Sequence, residues 1–142
     1  MAYLLDTCVL SELAKPRPDA GVVRWLEEAD ETALHLSVLT LGELDKGIAR
    51  LAPSARRRKI EQWVRQALAA RFQGRVLPVD TKIAERWGTL SGAAEARGEP
   101  LPVIDALIAA TGDVHGLEVV TRNTADLERC GARCVNPWTV TR

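Results

Sequence analysis

The stretch that decides the fold is Ala2-Tyr3-Leu4-Leu5-Asp6-Thr7. A short apolar run that ends in a polar residue predicts a buried strand, so Asp6 should lie where this strand leaves the sheet. In open α/β sheets, ligands bind beyond the carboxyl ends of the strands. A helical pattern follows at once, and we expect Thr7 to cap it. Taken alone, the stretch favours the simpler interpretation that Asp6 only helps to cap this helix.

The rest of the chain alternates short apolar runs with helical patterns. Further strand-like runs cover residues 34–37, 76–79, 117–120 and 133–135. Short strands separated by helices predict the α/β class, with a mainly parallel sheet of four to five strands flanked by helices. A length of 142 residues is enough for one domain with its own core and too short for two, so we predict a single domain over residues 1–142.

The composition excludes several classes of protein. Hydrophobic residues make up 46% of the chain and charged residues 27%, which is typical of a globular protein. The formal net charge of zero argues against binding nucleic acid through bulk charge, although a local basic patch remains compatible with it. No apolar run is long enough to cross a membrane. The odd number of cysteines, three, favours a reduced, cytoplasmic protein.

Two further acidic residues lie in apolar surroundings. Glu43 falls near the start of a helical pattern that follows a strand, and Asp105 lies in a strongly apolar helix beside Ala109 and Gly112. Small residues at such positions let a neighbouring backbone approach closely. A lone buried carboxylate costs several kcal/mol unless it is paired or bound to a metal. For each acid taken singly, an ion pair or a cap explains the position equally well.

Considered together, the three acids suggest one shared cluster. Carboxylates held close together repel one another, and this repulsion raises the pKa of at least one of them. A divalent cation removes the repulsion, and an all-oxygen ligand set suits Mg²⁺ or Mn²⁺. The substrate that such an ion favours in a cytoplasmic protein is a phosphate or a phosphodiester. The cluster therefore predicts metal-dependent phosphodiester chemistry.

Two other classes of function stay open at this point. A phosphatase that uses Asp6 as its nucleophile usually has a second aspartate two residues later, where this chain has Cys8. A non-catalytic module that only binds RNA or a protein would not need the three acids, and titration with metal would distinguish it. The turn Asp6-Thr7-Cys8 contains no glycine, which excludes a P-loop or a dinucleotide-binding fingerprint there.

Four segments resemble, in order and spacing, the motifs of PIN-domain nucleases. They are Leu5-Asp6-Thr7 with Ser11-Glu12-Leu13, the stretch from Ser37 to Gly47 around Glu43, Asp105 to Ala110, and Val120-Thr121-Arg122-Asn123. With the terminal Asn136-Pro137-Trp138, they are similar to the VapC and FitB branch, the ribonuclease toxins of bacterial toxin–antitoxin pairs. The resemblance implies a PIN-like fold and a metal-dependent endoribonuclease, in which a metal-activated water attacks the scissile phosphorus in line.

Carried over by position, the resemblance implies that Asp6, Glu43 and Asp105 hold Mg²⁺ or Mn²⁺. Thr121 would lie at the edge of the site, with its hydroxyl towards a water or an acid. The chain departs from the pattern at the fourth acid, because many relatives have aspartate where it has Asn123. Asp126, one turn further on, either compensates or only caps and pairs. This difference weakens the prediction of a second metal and leaves a one-metal site intact.

The remaining expectations concern binding partners. The basic run Arg56-Arg57-Arg58-Lys59 is best interpreted as a solvated helix face, and contact with the RNA backbone is the alternative. Tryptophans are enriched where proteins meet. Trp63 and Trp87 fit helix stripes that face the core, but the core need not account for all four tryptophans of the chain. The four are Trp25, Trp63, Trp87 and Trp138. The resemblance further implies a homodimer and a cognate antitoxin that covers the acidic site and presents an Arg or Lys to it.

Overall fold

The protein, a computed structural model, is described over residues 1–138. These residues form one five-stranded sheet in which every pair of neighbouring strands is parallel. The strands are β1 (Tyr3–Leu5), β2 (Leu34–Ser37), β3 (Val76–Leu77), β4 (Glu118–Val120) and β5 (Cys134–Val135), in the spatial order β3-β2-β1-β4-β5. The predicted α/β class and parallel sheet are confirmed.

The register of the sheet places two strand ends side by side. Leu5 of β1 lies opposite Val120 of β4, so the two strands end at the same level. From β1 the chain moves to β2 and β3 on one side of the sheet, and β4 and β5 lie on the other. The order therefore reverses between β1 and β4. Such a switch point opens a crevice beyond the carboxyl ends of the strands.

Helices cover both faces of the sheet. They are α1 (Thr7–Leu13), α2 (Ala20–Glu28), α3 (Val38–Ala49), α4 (Ala55–Gln62), α5 (Ala69–Arg71), α6 (Thr81–Ala96), α7 (Val103–His115) and α8 (Thr124–Arg129), with a 3₁₀ turn at Glu31–Ala33. Leu4 and Leu5 are both fully buried although they are neighbours in β1, because successive strand side chains point to opposite faces. Leu5 packs in the cluster of Val9 and Leu10, whereas Leu4 packs in that of Ile108.

Asp6 caps α1, as the simpler interpretation of the first stretch predicts, whereas the expectation that Thr7 is the cap is wrong. Asp6 has the extended backbone of an N-cap residue, φ −76° and ψ 161°, and its side chain accepts the Thr7 N–H. Thr7 is instead the first residue of the helix, and its hydroxyl is left free to bond elsewhere. A carboxylate at the helix start also interacts favourably with the helix dipole. The side chains of Asp19 and Asp80 likewise cap α2 and α6.

The apolar residues after Ala55 follow α-helical spacing and predict one long helix, but this helix is interrupted. Residues Trp63–Leu68 form a π-helical segment that joins α4 to α5 without a break in the chain. Val64 and Leu68 are buried as expected, but Ala67 is exposed. A π-helical turn holds more residues than an α-helical one, so it displaces the apolar stripe that regular α-helical spacing predicts.

All four tryptophans pack against the core. Trp138 is 9% exposed, and Trp25 and Trp63 are half-buried against the same cluster. Trp87 is half-buried against Ala106 and Ala109. Only Trp138 is buried, and the other three tryptophans keep part of their surface accessible. In residues 1–138, no helix is both long enough and apolar enough to span a membrane.

Candidate active site at the switch point

Asp6 occupies the crevice that the strand order predicts. The strand β1 continues hydrogen bonding past its end, since the Asp6 N–H donates to the carbonyl of Val120 over 3.0 Å. This bond fixes the backbone of Asp6, and its two carboxylate oxygens have separate partners. Oδ1 accepts the Thr7 N–H over 2.9 Å, and Oδ2 accepts the Thr121 hydroxyl over 2.9 Å. Asp6 is thus held in one orientation, half-buried at the end of β1.

Thr121 connects the two strand ends. It follows β4 directly and is fully buried, which places its hydroxyl inside the protein rather than in solvent. The hydroxyl donates to Asp6 and accepts the Asn123 N–H over 3.0 Å. The expectation that this hydroxyl points to an acid therefore agrees with the observed contact. Thr121 orients Asp6 and at the same time shapes the turn that leads into α8.

Cys8 adds a second link between the same two segments. Its Sγ accepts the Arg122 N–H over 3.4 Å and lies 3.6 Å from Oγ1 of Thr121. Burial raises the pKa of the Cys8 thiol, and the charge of Asp6 raises it further. The thiol is therefore neutral and acts as a weak hydrogen-bonding spacer. It therefore provides neither the negative charge nor the oxygen ligands that a second aspartate at this position would provide.

Glu43 reaches the site from α3. It is half-buried, and its Oε1 accepts the hydroxyl of Thr7 over 2.5 Å. Because Thr7 directly follows Asp6, this bond holds the second acid beside the first. Ser37, fully buried at the end of β2, caps α3 by accepting the Leu39 N–H and so sets where this helix begins. Sequence reasoning missed this use of the Thr7 hydroxyl, because the bond joins residues far apart in the chain.

Asp105 lies in the first turn of α7, facing the same region. Burial raises the pKa of its carboxyl above the ordinary value, and the carboxylates of Asp6, Asp126 and Glu43 raise it further, in that order. Only Arg129 acts in the opposite direction among the causes. The structure thus brings Asp6, Glu43 and Asp126 within electrostatic reach of Asp105. Ionisation of Asp105 is disfavoured unless a cation is present.

Small residues set the position of α7. Ala106, Ala109 and Gly112 are buried, and they lie one turn apart on the helix. A Cβ atom added to Gly112 would lie 3.1 Å from the carbonyl oxygen of Leu117 and 3.3 Å from Cγ2 of Val119. The glycine therefore permits a close approach of α7 to β4, as the small residues beside Asp105 predict.

The ligand chemistry of the cluster fits a hard divalent cation. All of its donors are carboxylate oxygens, which suit Mg²⁺ or Mn²⁺ and not zinc. As the side chains stand in residues 1–138, no three His, Cys, Asp or Glu side chains are grouped closely enough to hold a metal. Glu43 and Asp105 would need to turn towards Asp6. Both side chains are half-buried, so neither is fully enclosed by the core.

The fourth position of the pattern is open to solvent. Asn123 is exposed and precedes α8, and within the described residues its side chain makes no capping bond to that helix. Its backbone N–H is held by Thr121. Asp126 lies in the first turn of α8, and its charge acts on Asp105. The structure therefore brings Asp126 towards the acids and leaves the Asn123 side chain at the edge.

The members of the basic run have different roles. Arg57 is engaged within the protein, with Nε donating to Glu61 over 3.1 Å and a terminal nitrogen donating to the carbonyl of Leu51 over 2.8 Å. Arg58 is exposed. Arg56 and Lys59 line a groove of about 840 Å³. A neighbouring cavity of about 280 Å³ shares the Arg56 wall and is also lined by Glu43, so the groove leads towards the acids.

Glu12 is a buried acid that sequence reasoning did not single out. It is 6% exposed, accepts Lys15 Nζ over 2.9 Å and accepts the Asp19 N–H over 2.8 Å. The hydrogen bond from Lys15 lowers the pKa of Glu12. Glu12 therefore joins α1 to the start of α2 as an ionised, satisfied group. It has a structural role and does not belong to the acidic cluster.

Comparison with known proteins identifies the family. The PIN domain family matches residues 3–131. The chain is 33% identical to the toxin FitB of Neisseria gonorrhoeae, over 95% of this chain and 97% of that protein. It is 35% identical to a VapC ribonuclease, Y4jK, of Sinorhizobium fredii, over 95% of this chain and 96% of that protein.

The fold agrees with the sequence relationship. The crystal structure of FitAcB from Neisseria gonorrhoeae matches with a TM-score of 0.88 at 33% identity, over 96% of this chain and 98% of that one. The resemblance drawn from the four motifs is therefore confirmed over nearly the whole chain. The acids Asp6, Glu43 and Asp105 lie at the switch point of this fold. The chain belongs to the PIN domain family, among the toxins of the FitB and VapC type.

Proposed function

We propose that the chain is a metal-dependent endoribonuclease, the toxin of a toxin–antitoxin pair, and that Asp6, Glu43 and Asp105 hold its Mg²⁺ or Mn²⁺. The observation that carries this proposal is the cluster of carboxylates at the end of β1, whose mutual repulsion raises the pKa of Asp105 beyond the effect of burial. Such repulsion between carboxylates is unfavourable, and a bound divalent cation removes it. The relative from Sinorhizobium fredii, named a ribonuclease, supports RNA as the substrate.

The chain's own residues supply orientation. Thr121 and the Thr7 N–H hold the two oxygens of Asp6, and the Thr7 hydroxyl holds Glu43. A divalent cation would supply an activated water and would stabilise charge on the phosphoryl oxygens. Water is the nucleophile in this proposal, because the hydroxyls of Thr7 and Thr121 are committed to carboxylates. Asp126 would contribute from the outer side, and the neutral Asn123 favours one cation over two.

Cleavage assays test the proposal directly. Structured RNAs incubated with Mg²⁺, Mn²⁺ or EDTA should be cut only when a divalent cation is present. Asp6→Asn and Asp105→Asn should abolish cleavage without unfolding the protein. Asp45→Asn is a matched control, because Asp45 lies on α3 near Glu43 but is exposed and paired with Arg65. Cleavage by pure, folded Asp105→Asn at the wild-type rate would refute the assignment of the metal site.

A binding measurement separates catalysis from simple RNA binding. Calorimetric titration with Mn²⁺ should show binding to the wild type and to Asp45→Asn, and much weaker binding to Asp105→Asn. If the protein bound RNA but did not bind Mn²⁺ and did not cleave RNA, it would be the degenerate, non-catalytic module instead. The phosphatase alternative is disfavoured by Cys8, whose thiol is neutral beside Asp6.

The antitoxin is the second part of the proposal. The groove of Leu13, Pro16, Ile60 and Trp63 offers an apolar surface that leads towards Glu43. An inhibitor seated there can present an Arg or Lys to the acids, where a guanidinium pairs well with carboxylates. We expect such an inhibitor, encoded nearby, to displace the metal. Undiminished Mn²⁺ binding by the toxin–inhibitor complex would contradict displacement.

A homodimer is the third part. Four exposed apolar side chains lie near the carboxyl edge of the sheet, at the starts of α3 and α7 and after β3. They are Val38, Val79, Val103 and Ile104, with exposed fractions of 36–58%. Apolar side chains grouped on one edge favour association. Light scattering should give the mass of a dimer at micromolar concentration, and Val103→Asp with Ile104→Asp should shift it towards the monomer. A monomeric wild type would refute this part.

A further inference from the structure

A cleft between α6 and the end of α8 lies outside the acidic site. It has a volume of about 310 Å³ and is lined by two helices and the turn after α8. Three of its residues are arginines: Arg86 lies in α6, Arg97 directly follows that helix, and Arg129 ends α8. The nine described residues that line it include no carboxylate. Three guanidinium groups around one concavity make it attractive to an anion.

The three arginines are not equivalent. Arg86 donates to Asp113 over 2.7 Å and is therefore partly neutralised. Within residues 1–138, neither Arg97 nor Arg129 forms a side-chain hydrogen bond or ion pair. Both side chains keep their donors available, and both residues are exposed. They are the groups that an anionic ligand would contact.

The cleft adjoins the acidic site through α8. Arg129 lies one turn after Asp126 on this helix, and Cys130, which also lines the cleft, packs against Ala106 and Ala109 of α7. Asp105 directly precedes Ala106. The short helix α8 therefore has its acidic start at the candidate site and its basic end at the cleft. An extended, negatively charged polymer can occupy both.

We propose that this cleft binds a backbone phosphate of the RNA next to the scissile one, with Arg97 and Arg129 as its ligands. The inference rests on the proposed ribonuclease function. A cluster of carboxylates repels the RNA backbone, so cations beside it are needed to hold the neighbouring phosphates. The zero net charge of the chain provides no such attraction in bulk. Arginine suits the task because its planar fork matches the oxygens of a phosphate.

The basic run of α4 is a weaker candidate for the same task. Arg57 already donates to Glu61 and Leu51, and Arg56 and Lys59 line the apolar groove instead. In the cleft, by contrast, two arginines with available donors face one cavity. The cleft is therefore the phosphate contact that the described surface supports best.

The test is RNA binding as a function of salt. A fluorescent single-stranded RNA is titrated with Asp105→Asn protein in Mg²⁺, where cutting is suppressed, and anisotropy gives the dissociation constant. Arg97→Gln with Arg129→Gln is then added to this background. Arg24→Gln with Arg50→Gln is the matched control, since both are exposed arginines outside the cleft. Circular dichroism confirms that each variant is folded.

We expect the cleft pair to weaken binding about tenfold near 0.1 M salt and to flatten the slope of log K against log salt by about 0.7, the increment for one lost phosphate contact. The control pair should leave the slope unchanged. Equal slopes in the cleft and control variants, or no RNA binding by the parent protein, would overturn the proposal. Cleavage by the wild type is measured separately. A flattened slope without any cleavage would therefore refute the proposed nuclease function but support the proposed phosphate site in the cleft.

Discussion

The hydroxyl of Thr121 donates a hydrogen bond of 2.9 Å to Oδ2 of Asp6, joining residues 115 positions apart. Each residue is the first after its strand, and Leu5 and Val120 pair just before them. The parallel register therefore sets the two side chains next to each other. Asp6, at the end of β1, is therefore oriented by Thr121, which follows β4 on the other side of the switch point.

Replacement of Thr121 by Val should test this orientation. Valine keeps the shape but removes both the donor to Asp6 and the acceptor of the Asn123 N–H. Loss of a group that orients a metal ligand typically costs 10–100-fold in affinity or activity, so we expect about that loss of cleavage. Thr121→Ser should retain most of the activity. If Val and Ser behaved alike, the hydroxyl would have no orienting role.

The pKa of Asp105 predicts how stability depends on pH without metal. The pKa of its carboxyl is higher in the folded state than in the unfolded state. The wild type therefore has its full free energy of unfolding below the ordinary pKa of about 4, where the carboxyl is protonated in both states. Part of this free energy is lost as the pH rises through the folded-state pKa. Asp105→Asn does not lose stability in this way, because its amide does not ionise. We therefore expect Asp105→Asn, in EDTA, to melt higher than the wild type at neutral pH.

The difference between the two melting curves should shrink in acid. Thermal denaturation at about pH 7 and below about pH 4 checks this, because the wild-type carboxyl is protonated in the acidic sample. Asp45→Asn is again the control for a surface acid. A melting difference that is the same at both pH values would contradict the raised pKa.

Asn123→Asp should tighten divalent-ion binding. The substitution adds a charged oxygen shortly after the end of β4, on the side of the site where Thr121 and Asp126 lie. A carboxylate there also precedes α8, where negative charge favours the helix start. Calorimetric titration with Mn²⁺ is the measurement. Binding weaker than that of the wild type would show that this side chain faces away from the acids.

Gly112→Ala should destabilise the fold by about 1–3 kcal/mol, because the added methyl meets the Leu117 carbonyl and the Val119 side chain. Gly88→Ala is the matched control. A Cβ there has no neighbour within 4 Å, so the change should stabilise the exposed helix by about 0.4–1 kcal/mol. Denaturant unfolding measures both. A neutral Gly112→Ala would mean that α7 can move away from β4 at no cost.

Arg57→Glu with Arg58→Glu reports on the basic run. Arg57 donates hydrogen bonds to Glu61 and to the carbonyl of Leu51. We therefore expect the double variant to lose about 1 kcal/mol of stability from the broken ion pair, and more from the lost bond to the carbonyl. We expect the salt dependence of RNA binding to change little. A slope that flattens as much as in the Arg97 and Arg129 variant would show that the run contacts phosphate after all.

Local patterns in the chain were sufficient for several features. The apolar run before Asp6 predicted a strand, and alternation of strands with helices predicted the parallel sheet. The small residues beside Asp105 predicted the close approach that Gly112 permits. These features depend on hydrophobic periodicity and residue size, which act between neighbours in sequence.

The remaining features depend on contacts between distant segments. Strand order and register decide that Thr121 meets Asp6, and helix placement decides that Thr7 meets Glu43 and that Arg97 and Arg129 share a cleft. Competition for hydrogen bonds made Asp6 rather than Thr7 the cap, and packing placed all four tryptophans against the core. The sequence by itself determined the class of fold and the acids of the candidate site. Only the tertiary structure decided their partners, because hydrogen bonds and charges act over a few ångströms and not along the chain.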